Sequence, residues 1–120
     1  MKLRIKSNSI RIRLTKSEVC QLANTGYLEE QTSFGENAFV YALQSVDAGK
    51  MSASFNTNKI TVFIPAAFIK GWDENDTVGF NGTMSTGETN LYLLVEKDFI
   101  CLDETTEDQS DNYENPKINC

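Results

Sequence analysis

The chain has no histidine among its 120 residues, which excludes Ser-His-Asp and Cys-His mechanisms for want of a base and removes the commonest nitrogen ligand of transition metals. With 40% hydrophobic and 23% charged residues it reads as a single globular domain over 1–120, and no apolar run approaches the roughly 20 residues that span a bilayer. The net charge of −6 hides a polarity along the chain: Lys2, Arg4, Lys6, Arg11, Arg13 and Lys16 precede the first acid, Glu18, whereas the last quarter is dominated by Asp and Glu.

In chain order, residues 2–6 and 9–14 alternate polar and apolar around Ser7-Asn8, the pattern of a hairpin. The opening alternates charge with apolar residues and has no continuous hydrophobic stretch, so it reads as a strand and not as a secretory signal, and a cytoplasmic location is expected. Thr15-Lys16-Ser17-Glu18 has capping-box spacing and predicts a helix carrying Val19, Leu22 and Ala23 on one face and ending near Gly26. Strands are predicted at 27–34 and 38–46, then a turn at Asp47-Ala48-Gly49-Lys50. A second hairpin at 51–56 and 59–64 leads through Pro65 into a short helix, Ala66 to Trp72. The turn Asp73 to Asp76 and strands at 77–84 and 90–97, joined through Thr86-Gly87-Glu88, complete the order.

The two halves share one pattern. Asn8 to Leu14 aligns with Asn58 to Ile64, Val19 with Ile69 and Leu28 with Val78, an offset of 50; two residues of slippage then set Phe39, Tyr41 and Leu43 opposite Leu91, Leu93 and Val95. The expected fold is α+β, a mostly antiparallel β-barrel or rolled sheet built from two pseudo-repeated ββαββ units, 1–47 and 51–97, with two short helices. Residues 103–120 form an acidic C-terminal tail. Taken alone its composition is that of a disordered segment, but Tyr113, Pro116 and Ile118 are expected to anchor it on the barrel, carrying its acids over the basic strands.

The candidate anion-binding residues are Lys2, Arg4, Lys6, Arg11 and Arg13, which two adjacent alternating strands place on one sheet face, a surface suited to phosphates, nucleotides or polyanions. The alternative reading is a solvated face balanced by the acidic tail. No catalytic residue and no cofactor is expected. Cys101 and Cys120 are the weak metal candidates, half of a tetrahedral zinc shell without Cys-x-x-Cys spacing, and otherwise two unlinked thiols. Cys20 reads as structural. The run Asp103, Glu104, Glu107, Asp108 and Asp111 lacks EF-hand spacing, and solvation is its expected fate. Glu29-Glu30 can point only one carboxylate inward, and Tyr27, Tyr41, Tyr92, Trp72 and the phenylalanines read as core.

The stretch Lys59-Ile60-Thr61-Val62-Phe63-Ile64-Pro65 through Trp72 to Asp76-Thr77-Val78-Gly79-Phe80 resembles the AbrB/MazE swapped-hairpin family, a likeness that implies interlocked hairpins and DNA binding through basic strand residues. Nearly the whole chain, notably Lys2 to Leu14 and Asp108 to Cys120, is similar to a family of small uncharacterised bacterial proteins, which implies no activity. The functional expectation is a non-enzymatic binding or interaction domain with an anion-binding strand face. Its partners would be a protein or a small anionic ligand, with neither nucleic acid nor membrane. The alternatives are a divalent-metal-dependent phosphate-ester or polyphosphate enzyme and an AbrB-like DNA-binding regulator.

Overall fold

A computed structural model describes residues 1–99 and 110–114. The order is β1 (Lys2–Lys6), β2 (Ser9–Leu14), α1 (Lys16–Thr25), β3 (Tyr27–Ser33), β4 (Ala38–Val46), β5 (Ser52–Asn56), β6 (Lys59–Pro65), α2 (Ala66–Ile69), a 3-10 turn (Trp72–Glu74), β7 (Gly79–Ser85) and β8 (Asn90–Lys97). The protein is α+β and strand-rich, with two short helices. In place of a closed barrel, the eight strands form two four-stranded sheets, ordered β1-β2-β8-β7 and β3-β4-β6-β5. Each sheet is two antiparallel hairpins joined by a parallel pair, β2 with β8 and β4 with β6. The inner edges of the hairpins meet in those parallel pairs, and no ladder among the described residues links the outer strands of one sheet to those of the other.

The alternation that defines the strands also defines the core. The inner faces contribute Ile12, Leu14, Leu43, Ile64 and Val95 to one apolar cluster, in which Trp72 is fully buried. Each such side chain contributes about 1.5–3 kcal/mol on leaving water. At one end the hydrophobic surface stays open: Ile5 and Phe55, 55% and 68% exposed, line an apolar opening of about 450 Å³ with Phe39, Met84 and Leu91.

Helix α1 begins as the capping box requires: Glu18 N–H donates to Thr15 Oγ1 at 3.4 Å and Thr15 N–H donates to Glu18 Oε1 at 2.9 Å. It ends at Gly26, whose φ of 78° is the left-handed conformation that a side chain disfavours and whose N–H donates to Leu22 O. The second helix is shorter than expected. After Ile69 the chain turns at Gly71 (φ 72°) into the 3-10 turn, because the Trp72 indole N–H donates to Thr77 O at 2.7 Å and draws the ring inward. That bond holds Thr77 outside β7, which therefore starts at Gly79 and not at 77.

The Met1 amine is partly buried between two carboxylates, donating to Glu18 Oε2 and, at 2.8 Å, to Glu30 Oε1. Burial disfavours its charge, but the hydrogen bonds to Glu18 and Glu30 outweigh that and hold its pKa above the ordinary value. Burial likewise opposes the Glu18 carboxylate, yet the bonds from the amine and from Thr15 N–H bring its pKa below 4.5. Tyr41 completes the cluster by donating to Glu30 Oε2 at 3.0 Å, and burial, with the Glu30 bond and charge, pushes its hydroxyl up to about 12. Of the adjacent pair, Glu30 thus turns inward and Glu29 outward, where it meets Lys59 at 3.1 Å.

Two predictions follow from these contacts. A Cβ at Gly79 would lie 2.5 Å from Val95 O and 2.6 Å from Glu96 Cβ, whereas one at Gly49 would meet nothing within 4 Å. Gly79→Ala should therefore cost about 1–3 kcal/mol in urea unfolding, with Gly49→Ala near neutral; equal stability of both would contradict the close approach of β7 to β8. Because the folded-state pKa of Glu18 is lowered, its stabilisation is present above the unfolded value and is lost as pH falls through the folded one. The melting-temperature gap between the parent protein and Glu18→Gln should narrow from about pH 6 to about pH 3. A constant gap would show that the charge of Glu18 contributes nothing.

Candidate functional site

The outer face of the β1-β2-β8-β7 sheet collects all five basic residues named from the sequence. Its three rows follow from register alone: Lys2–Arg13–Glu96–Gly79, Arg4–Arg11–Leu94–Asn81 and Lys6–Ser9–Tyr92–Thr83. Alternation puts the even residues of β1 and the odd residues of β2 outward, while Leu3, Ile10, Ile12 and Leu14 face the core.

The rows differ in electrostatics. Glu96 Oε1 accepts from Arg11 Nε at 2.7 Å and from Arg13 Nε at 2.9 Å, and Arg11 Nη2 lies 2.6 Å from the same oxygen. Lys2 Nζ stands 2.9 Å from Oδ2 of Asp98, a buried carboxylate, and this approach is charge pairing without good hydrogen-bond alignment. One end of the face is thereby largely neutralised. At the other end Arg4 and Lys6 are exposed and meet no acidic partner among the described residues. Among the described residues, the acids that balance these cations come from β8 and the residue after it.

Beside the cations runs a trough of about 420 Å³, lined by outward side chains of Ser9, Arg11, Asn81, Thr83, Tyr92 and Leu94. Tyr92 is 54% exposed, so it is a surface residue and not core as expected; Phe34 and Phe55 are exposed too. The sequence does carry the signal for Tyr92: on β8, Leu91, Leu93 and Val95 face the core, which leaves Tyr92, Leu94 and Glu96 outward. Only the pairing with β2 sets those residues beside Arg11 and Arg13.

A second cationic feature lies at the far end of β8. Lys97 is 4% exposed; its ammonium donates to Asn75 O at 2.6 Å and sits 5.0 Å from the Tyr113 ring centre and 5.8 Å from that of Trp72. Burial pushes its pKa down, partly opposed by Asp76 and Asp73. Tyr113 N–H donates to Asp98 O at 2.8 Å, and its ring meets Phe99, so residues 110–114 are fastened to the end of the sheet. Asp111 lies at the start of α1, where its carbonyl accepts from Lys16 N–H at 2.9 Å and its carboxylate accepts from Ser17 Oγ. Of the two described acids of the tail, Asp111 is thus on the helix and not over the basic strands, and Glu114 is exposed beside Tyr113, near Lys16 and Lys97.

Cys20, read as structural, is exposed on α1, where its Sγ accepts from Asn24 Nδ2 at 3.3 Å. Cys101, Cys120, Asp103, Glu104, Glu107, Asp108, Pro116 and Ile118 lie outside the described residues. Among the described residues no three His, Cys, Asp or Glu side chains gather to hold a metal ion, and no helix is long and apolar enough to cross a membrane.

Neither a curated protein nor a solved structure matches this chain. The likeness of 59–80 to the AbrB/MazE family receives no support from these comparisons. A family model does match, over residues 1–117, and nearly the whole chain is covered: the protein belongs to the family of unknown function DUF7009.

Proposed function

We propose that this protein is a non-enzymatic binding domain, acting in the cytoplasm as one unit, whose β1-β2-β8-β7 outer face takes an anionic ligand. The observation that carries the reading is the division of charge on that face. Glu96 and Asp98 hold Arg11, Arg13 and Lys2, while Arg4 and Lys6 face solvent with no carboxylate beside them among the described residues. Guanidinium and ammonium groups on adjacent strand positions offer several charge-assisted donors to one phosphate or carboxylate. The held cations add field without competing for the ligand's closest contacts.

We infer as well that residues 1–47 and 51–97 are two copies of one ββαββ unit, interlocked through their hairpins. Pairings in the two sheets support this: Lys2↔Arg13 corresponds to Ser52↔Phe63 at an offset of 50, Tyr27↔Gln44 to Gly79↔Glu96 at an offset of 52, and Ser9↔Tyr92 to Lys59↔Val40, so the two-residue slip falls before β3 and Leu28 corresponds to Phe80 and not to Val78. On that reading the anion face belongs to one copy's hairpin only, since Arg11 and Arg13 correspond to Thr61 and Phe63. Neither alternative, metal-dependent phosphate-ester or polyphosphate enzyme or AbrB-like DNA-binding regulator, has an observation of comparable weight.

Tripolyphosphate titrated calorimetrically at low salt is the direct test. Arg4→Ala/Lys6→Ala should lose about 10-fold or more in affinity, the effect of removing two charged contacts, whereas Lys70→Ala, away from the face, should not. Glu96→Gln should bind several-fold more tightly because it frees Arg11 and Arg13. Absence of binding, or an unchanged double variant, would refute the proposal.

A further inference from the structure

We propose that the trough beside the cations is a ring-binding subsite, so that the anion taken by this face is a nucleoside polyphosphate with its base lying against Tyr92. The inference rests on the anion-face reading and deepens it to a ligand class. Arg4 and Lys6 stand on β1, while Tyr92 and Leu94 stand on β8, two strands away in the same rows. Two strand spacings are about 10 Å, which suits a ligand with phosphate groups at one end and a flat apolar group at the other. A bare polyanion needs only the first end.

The chemistry of the second end is that of a base site. Tyr92 is 54% exposed and presents a large, rigid aromatic surface with a polar tip to the trough. Leu94 beside it is a half-buried apolar floor, and the trough of about 420 Å³ falls within the range of small-molecule sites. Across the trough on β7, Asn81 and Thr83 are exposed and sit opposite Leu94 and Tyr92. The Asn81 amide carries both a donor and an acceptor, the pair needed to meet the hydrogen-bonding edge of a base. Gly82 between them places no side chain in the core beneath: a Cβ there would meet Met51 Cβ at 3.1 Å. Register thus aligns cations, apolar floor, exposed ring and amide along one path over the sheet.

Calorimetry in magnesium-free buffer with three probes, ATP, tripolyphosphate and adenosine, tests the inference and separates its failure from that of the anion face. ATP should bind about 10-fold or more tighter than tripolyphosphate, the scale of one base stacked on an aromatic ring. Tyr92→Ala should reduce ATP to the affinity of tripolyphosphate and leave tripolyphosphate unchanged, while Tyr92→Phe should retain the preference. Equal binding of ATP and tripolyphosphate by the parent protein would overturn the ring subsite and leave the anion face standing. No binding of either would remove both. An ATP preference that survives Tyr92→Ala, with the variant's melting temperature unchanged, would place the base elsewhere and overturn the assignment to Tyr92.

Discussion

Parallel pairing between strands distant in the chain, β2 with β8 and β4 with β6, is the constraint on which everything else depends. Each of the four hairpins alone is a two-stranded ribbon, marginal in water at best. Joined pairwise they become four-stranded sheets with one apolar face each, and those faces close on a common cluster. The pairing also fixes which side chains meet on the outside. A slip of one residue between β2 and β8 would turn one strand's apolar set to solvent, so the core enforces the register that sets Arg11 beside Leu94 and Ser9 beside Tyr92.

The same register decides the electrostatics. Glu96 aligns with Arg13 and is two residue pairs away from Arg11, on the same face, so a single carboxylate serves both guanidinium groups. Such partly exposed pairs are worth only about 0–1 kcal/mol each, and they are not what holds the sheet together. Their consequence is positional: among the described residues, charge is quenched at the end near Asp98 and left unquenched near Lys6. At Gly79, β7 passes close against the backbone of Val95 and Glu96 on the opposite side from the arginines.

Local physics was legible in the sequence. The capping box of Thr15 and Glu18, the left-handed stop at Gly26 and the two hairpins β1-β2 and β5-β6 appear where residue spacing put them. What escaped was set by distant partners. The helix expected to run to Trp72 breaks at Gly71 because the indole reaches Thr77. Two repeated strand-helix units suggest a closed barrel, but the repeat does not say which edges meet, and here the inner edges pair in parallel within two separate sheets. Of the candidate site, the five cations and their shared face could be read from two adjacent strands. Glu96, Asp98 and Tyr92 could not be assigned to it, since they arrive from the far end of the chain. The tail's Tyr113 was recognised as an anchor because an aromatic in a polar segment has a reason to be buried, and its ring does lie against Phe99 and Lys97.

The account's central claim is that the unquenched end of the β1-β2-β8-β7 face is where an anion binds. Amide chemical-shift mapping during titration with tripolyphosphate at low salt tests it most directly. The account predicts saturable shifts centred on Arg4, Lys6, Ser9 and Arg11, with the β3-β4-β6-β5 sheet unmoved. Shifts centred instead on Lys59, on Lys70 or around Lys16 and Lys97 would contradict it.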